Sequence, residues 1–149
     1  MRLCEGCFSR CVAKMKNTNK RDGNNFEEFF CNLLFSNGFW AHNLAQNQTG
    51  QPADVIAARN GKAYLIDCKV CGKNGFPFSH MEANQDSSIE LWRNCGNGVG
   101  WFAFKLDDNS VWLIPHIALL GYEKVKSGLS VSEIRLYGQP FEEWVSKCK

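Results

Sequence analysis

Hydrophobic and polar positions change period several times along the chain. Phe26, Phe29, Phe30, Leu33 and Leu34 recur at helical spacing, which predicts a helix from about Phe26 to Asn37, capped by Asn24 or Asn25 and stopped by Gly38. At about 100° per residue the apolar stripe centres on Phe26, Phe30 and Leu33. Glu27 then lies at the margin of the stripe and Glu28 points away from it. Phe39 to Ala45 reads as a short strand, and Gln46 to Pro52 as a polar loop. Two apolar runs follow, Asp54 to Arg59 and Lys62 to Val70, separated by Asn60-Gly61, a strong local signal for a hairpin. A two-residue turn pairs Arg59 with Lys62, and the same register sets Asp54 opposite Asp67.

Beyond Val70 the chain turns through 71–75 into Phe76-Pro77-Phe78. A helix is expected from Ser79 or His80, carrying Met81, Ile89, Leu91 and Trp92, with Gln85 near its middle. Val99 to Leu106 and Ser110 to Ile114 form a second hairpin around Asp107-Asp108-Asn109. His116 to Leu120 reads as a short helix. A last helix runs over Phe141 to Lys147, with Trp144 and Val145 toward the core. Strands interspersed with helices in this way place the chain in the α/β class, with a central mixed sheet flanked by helices.

Composition adds limits. A chain of 149 residues, 44% hydrophobic and 13% aromatic, is the right size for one core and one domain. Its net charge of +2 is unevenly spread. Residues 1–22 form an arm in which Arg2, Arg10, Lys14, Lys16, Lys20 and Arg21 face few acids, so the domain expected over 23–149 is net acidic. Arg10, Lys14, Lys16, Lys20 and Arg21 suit phosphate neutralisation, although a solvated tail has the same composition. No apolar run approaches the ~20 residues of a membrane span and the N-terminus has no signal-peptide pattern, so a cytoplasmic protein with reduced thiols is expected.

Cys4, Cys7 and Cys11 have a spacing that holds zinc when a second ligand pair is near, but no such pair is evident and incidental thiols are the favoured reading. Cys68 and Cys71 repeat the spacing inside a strand whose Cys68 side chain points to the core. His42, His80 and His116 are scattered, which argues for packing or surface roles rather than a histidine metal cluster.

The chemistry concentrates in Tyr64 to Val70. Asp67 and Lys69 interrupt an apolar strand, where buried charges cost free energy unless paired or bound to an ion. Alternation sends both to one face, and Ile66, Cys68 and Val70 to the other. Asp54 and Asp67, about 4.5–5.5 Å apart across a ladder, repel unless a proton or cation lies between them. A hard divalent cation meets that demand: magnesium takes a few carboxylate oxygens and keeps its waters. Lys69 can then orient or deprotonate water, or stabilise charge developing on phosphate. The plainer alternative is a salt bridge that closes a sheet.

Glu27 in a helix, Asp54 opening a strand and Asp67-Cys68-Lys69 in the next one resemble the PD-(D/E)xK nuclease superfamily, whose core is restriction-endonuclease-like. Here Pro52 stands one place further from Asp54 than the motif has it. Phe76 to Gln85 is similar to the segment after the lysine in RecU-type Holliday junction resolvases, and Gly23 to Glu27 is similar to the helix that opens that family. The likeness spans Gly23 to Leu120, including the strands Gly100–Phe104 and Val111–Pro115. The RecU stalk has no room between Trp40 and Asp54, so a compact phage-type or archaeal-type form is the nearer model.

The resemblance implies a homodimeric Mg²⁺-dependent endonuclease, with Mn²⁺ as a substitute, that cuts four-way DNA junctions. By position, Glu27, Asp54, Asp67 and the Cys68 backbone carbonyl would hold metal, Lys69 would activate water, and Gln85 would orient the site. Two rival functions stay open at the level of sequence. One is a nuclease of the same superfamily acting on duplex, flaps or ends; the other is a non-catalytic DNA-binding module with a cysteine-zinc arm.

Overall fold

The Asn60-Gly61 turn sets the geometry of the sheet. Both residues have positive φ, +52° and +77°, the pairing that a two-residue type I′ turn needs to match the twist of its strands. In this computed structural model, which describes residues 25–44 and 53–148, the turn joins β2 (Val55–Arg59) to β3 (Lys62–Val70). Arg59 pairs with Lys62 and Val55 with Ile66, the register expected from the turn. The basic residues Arg10 to Arg21, the thiols Cys4, Cys7 and Cys11, and the loop 46–52 lie outside the described residues.

Before the hairpin come α1 (Asn25–Ser36) and β1 (Trp40–Asn43). Gly38 ends α1 with φ +86°, its N–H donating to Phe35 and the Phe39 N–H to Leu34 O at 3.1 Å, a Schellman arrangement that only a residue tolerant of that φ adopts without strain. After β3 follow β4 (Phe76–Pro77), a 3₁₀ turn (Phe78–His80), α2 (Ala83–Asn94), β5 (Trp101–Lys105) and β6 (Val111–Pro115). The chain closes with α3 (His116–Glu123), β7 (Gly128–Leu129), α4 (Val131–Tyr137), β8 (Gln139–Pro140) and α5 (Phe141–Lys147).

The six-stranded sheet runs in the order β1-β2-β3-β5-β6-β8, and β4 pairs with β7 apart from it. β3 and β5 are parallel, whereas the β1–β2, β2–β3, β5–β6 and β6–β8 pairs are antiparallel, so the sheet is mixed. Alternation along its strands divides the apolar side chains into two layers. On one face Val55, Ala57, Ile66 and Leu113 pack with Phe26, Phe30 and Leu34 of α1 and Trp144 of α5. On the other, Leu65, Phe102, Phe104 and Ile114 pack with Ile89 of α2, Leu119 of α3 and Ile134 of α4. Helices therefore flank both faces of a central mixed sheet, in keeping with the pattern of periods.

Several boundaries differ from expectation. The helix expected from Ser79 or His80 begins at Ala83, because Phe78 to His80 winds as a 3₁₀ turn whose first N–H is held by Ser127 O at 2.9 Å. Gln85 thus sits in the first turn of α2, Met81 precedes the helix, and Leu91 is exposed. In α1 it is Cys31, rather than Phe29, that joins the buried face. The apolar periods do not predict α4, although its capping box is plain in the sequence: Ser130 Oγ accepts from Glu133 N, and Glu133 Oε1 accepts from Ser130 N.

Candidate active site

Asp67 is fully buried in the middle of the sheet, and neither of its carboxylate oxygens accepts a well-directed hydrogen bond. The Lys69 ammonium lies 3.0 Å from Oδ2 but off the line of a hydrogen bond. Burial, and then the charge of Asp54, push the Asp67 pKa up to about 8, against the pull of Lys69. An ionised carboxylate in such surroundings is strongly disfavoured unless a cation faces it.

Asp54 comes close to Asp67 by a different route from the one expected. The β2–β3 ladder stops at Val55 and Ile66, so Asp54 stands one residue beyond it instead of pairing directly. Its backbone carbonyl accepts from Leu44 N at 2.8 Å, on the β1 side, while its side chain turns to β3 and Oδ2 accepts from Cys68 N at 2.7 Å. In an extended strand the N–H and C=O of one residue point to the same edge, so the Cys68 carbonyl also faces the Asp54 side. The Cys68 thiol packs on the opposite face with α1, and Cys71 belongs to the α2 layer, so the two thiols do not share a site. Burial raises the Cys68 thiol and pushes Cys31 and Cys71 up to about 12, leaving all three protonated and unreactive at neutral pH.

Glu27 reaches the same place from the first turn of α1. Its pKa is raised by burial and then by the Asp54 charge, with partial relief from an Asn43 hydrogen bond and from Lys69. Asn43, at the end of β1, is a contributor that sequence reasoning missed; nothing in its local pattern marks it. Gln85 completes the row. It is 5% exposed, not the surface amide its composition suggests, and its Oε1 lies 3.3 Å from Lys69 Nζ. Glu27, Asp54, Asp67, Lys69 and Gln85 thus form a chain of neighbours drawn from α1, the edge of β2, β3 and α2. Among the described residues, no three His, Cys, Asp or Glu side chains are arranged as a ready-made metal cluster.

The donor set suits a small hard cation all the same. Magnesium commonly takes one or two carboxylates and keeps several waters, so Asp54 and the orphaned Asp67 oxygens are sufficient protein ligands. His42 stacks on Trp40 at the sheet edge and His80 lies against Phe76, while His116 is buried and paired with Asp86. The three histidines are apart, as expected.

The family model of the archaeal Holliday junction resolvases (Hjc) matches residues 18–146. The chain belongs to that family. Hjc proteins are nucleases acting on DNA. The solved structure of Archaeoglobus fulgidus Hjc, a Holliday junction resolvase from an archaeal hyperthermophile, superposes with a TM-score of 0.63 at 20% identity, over 83% of this chain and 99% of that one. At that identity the likeness is one of fold. No curated protein matches the chain. The match is to the archaeal resolvases, one of the two compact forms expected from the short span before Asp54; it supports neither the phage-type form nor RecU-type proteins in particular.

Proposed function

We propose that this Hjc-family nuclease is a Mg²⁺-dependent endonuclease that resolves four-way DNA junctions as a homodimer in the cytoplasm, with Mn²⁺ able to replace Mg²⁺. The observation that carries the reading is the buried Asp67 carboxylate, which accepts no well-directed hydrogen bond, beside Asp54 and Lys69. Asp54, Asp67 and the Cys68 carbonyl would hold the cation, with Glu27 supporting Asp54. A bound divalent cation lowers the pKa of water and neutralises charge on the scissile phosphate.

The residues of the chain do the rest. Lys69 is held between Asp67 and Gln85, at 3.0 and 3.3 Å, with its side chain 18% exposed. That leaves the ammonium aimed out of the sheet face, where it orients the attacking water and donates to the phosphate oxygen on which charge develops. Gln85 fixes the lysine through its carbonyl oxygen, the role suggested by the RecU-like segment Phe76 to Gln85. Residues 23–149 form the nuclease domain. Arg10, Lys14, Lys16, Lys20 and Arg21 of the 1–22 arm contact phosphates. A homodimer matches the two symmetric strands that a four-way junction presents for cutting.

Cleavage of an end-labelled four-way junction, and of linear duplex of the same sequence, tests this in Mg²⁺, in Mn²⁺ and in EDTA. Cutting of the junction alone, in either metal and not in EDTA, is the expected result. Equal cutting of duplex would overturn junction selectivity and favour a duplex nuclease. Cutting in EDTA would overturn the metal.

A further inference from the structure

Gln85 reaches Lys69 from the first turn of α2, yet that turn has no side-chain cap: Glu82, in the N-cap position, accepts from Asp86 N with its backbone carbonyl at 3.0 Å but accepts nothing with its side chain. What ties it down is the neighbouring residue. Asp86 Oδ1 lies 2.7 Å from His116 Nε2, and since a carboxylate only accepts, Nε2 carries the hydrogen and donates. His116 is 4% exposed and opens α3, with its own backbone N–H donating to Gly100 O at 2.9 Å. Its ring stacks on Phe102 at 5.8 Å and 13°, and Phe102 is the residue of β5 in register with Asp67. His116 is therefore in contact with a neighbour of each half of the site.

A buried histidine satisfied by a carboxylate is commonly nothing more than packing. Here the surroundings give the pair more to do. A Cβ at Gly100 would lie 2.2 Å from Ile89 Cγ2, so α2 already rests hard against the start of β5 and cannot move inward. Lifting α2 off the sheet or sliding it across would carry Gln85 off Lys69, and the bond from His116 to Asp86 opposes both.

We propose that His116 and Asp86 are positioning residues of the cleavage reaction: the bond between them fixes α2 on the sheet so that Gln85 holds Lys69 toward the scissile phosphate. The proposal rests on the roles given above to Lys69 and Gln85. It is tested by single-turnover cleavage of a four-way junction in Mg²⁺, with junction affinity measured in parallel in Ca²⁺. His116→Ala should slow cleavage by about 10- to 100-fold, the usual loss when a group that orients a catalytic residue is removed, and leave affinity within about twofold. His116→Gln, whose amide can still donate to Asp86, should recover most of the rate. Asp86 is 30% exposed, so Asp86→Ala should fold even where His116→Ala does not, and should show the same loss.

The decisive arm is a cycle with Gln85→Ala. If the pair acts through Gln85, adding Asp86→Ala or His116→Ala to Gln85→Ala costs no further rate. Losses that multiply, a glutamine variant as slow as alanine, or Asp86→Ala at the wild-type rate beside a slow Gln85→Ala would each overturn the proposal alone. A Gln85→Ala variant that cuts at the wild-type rate would overturn the role of Gln85 itself, and the proposal with it.

Discussion

At the scale of the residue, Asp67 is the most informative side chain in the molecule. Its ordinary pKa is 3.8 and its folded value about 8, so between those limits the native state binds more protons than the unfolded chain. The stability it contributes is whole below about pH 4 and is lost as pH rises through about 8. Glu27 shifts in the same direction. Urea unfolding in EDTA should show stability falling from pH 5 to pH 8, and Asp67→Asn, which cannot ionise, should flatten that slope. The same substitution should remove cleavage in Mg²⁺, as should Lys69→Ala, each by about 100-fold or more, with junction binding still measurable. A Lys69→Ala variant cutting at the wild-type rate would sink the site assignment. Asp67 and Lys69 were legible in sequence because charges in an apolar strand stand out. Gln85 was not legible from composition, since an amide carries no charge and its burial depends on a helix packed from elsewhere.

At the scale of the element, the β2–β3 hairpin and α2 set the site in different ways. The hairpin is local. Gly61 has φ +77° with nothing within 4 Å of a would-be Cβ, so Gly61→Ala meets only backbone strain. Denaturant melts should show a loss of about 1 kcal/mol, with cleavage unchanged at saturating Mg²⁺. α2 is tertiary. Gly100→Ala drives a methyl into Ile89 and should cost about 1–3 kcal/mol, and because the clash pushes on α2 it should also slow cleavage, which Gly61→Ala does not. The late start of α2 belongs at this scale too: the bond from Phe78 N to Ser127 O, between segments far apart in the chain, winds Phe78 to His80 as a 3₁₀ turn where periodicity alone predicts helix.

At the scale of the whole molecule, the sheet separates two apolar layers and gathers one acidic site at the end of β2 and the middle of β3. Residues 23–149 carry more acidic than basic side chains, and the phosphate contacts proposed for the arm are tested by salt dependence. Replacing Arg10, Lys14, Lys16, Lys20 and Arg21 by glutamine should weaken junction binding and lower the slope of log affinity against log salt by up to about 4 to 5, at roughly 0.9 for each phosphate no longer neutralised. An unchanged slope would mean that the arm does not touch phosphate. Sedimentation of the protein in the micromolar range checks the proposed homodimer: a monomer at those concentrations would overturn it.

By itself the sequence determined what near neighbours control. Asn60-Gly61 admits positive φ at both positions, which fixes the β2–β3 register; that register brings Asp54 near Asp67, and alternation puts Asp67 and Lys69 on one face. Only the tertiary structure decided how those groups meet. Asp54 stands just past the last pair of the β2–β3 ladder, where its carboxylate, rather than a backbone carbonyl, accepts from Cys68 N. Gln85 meets Lys69, and His116 meets Asp86, through packing between segments distant in the chain, where no local spacing carries the information. A turn depends on the conformations open to two residues, whereas a buried contact depends on every element that closes around it.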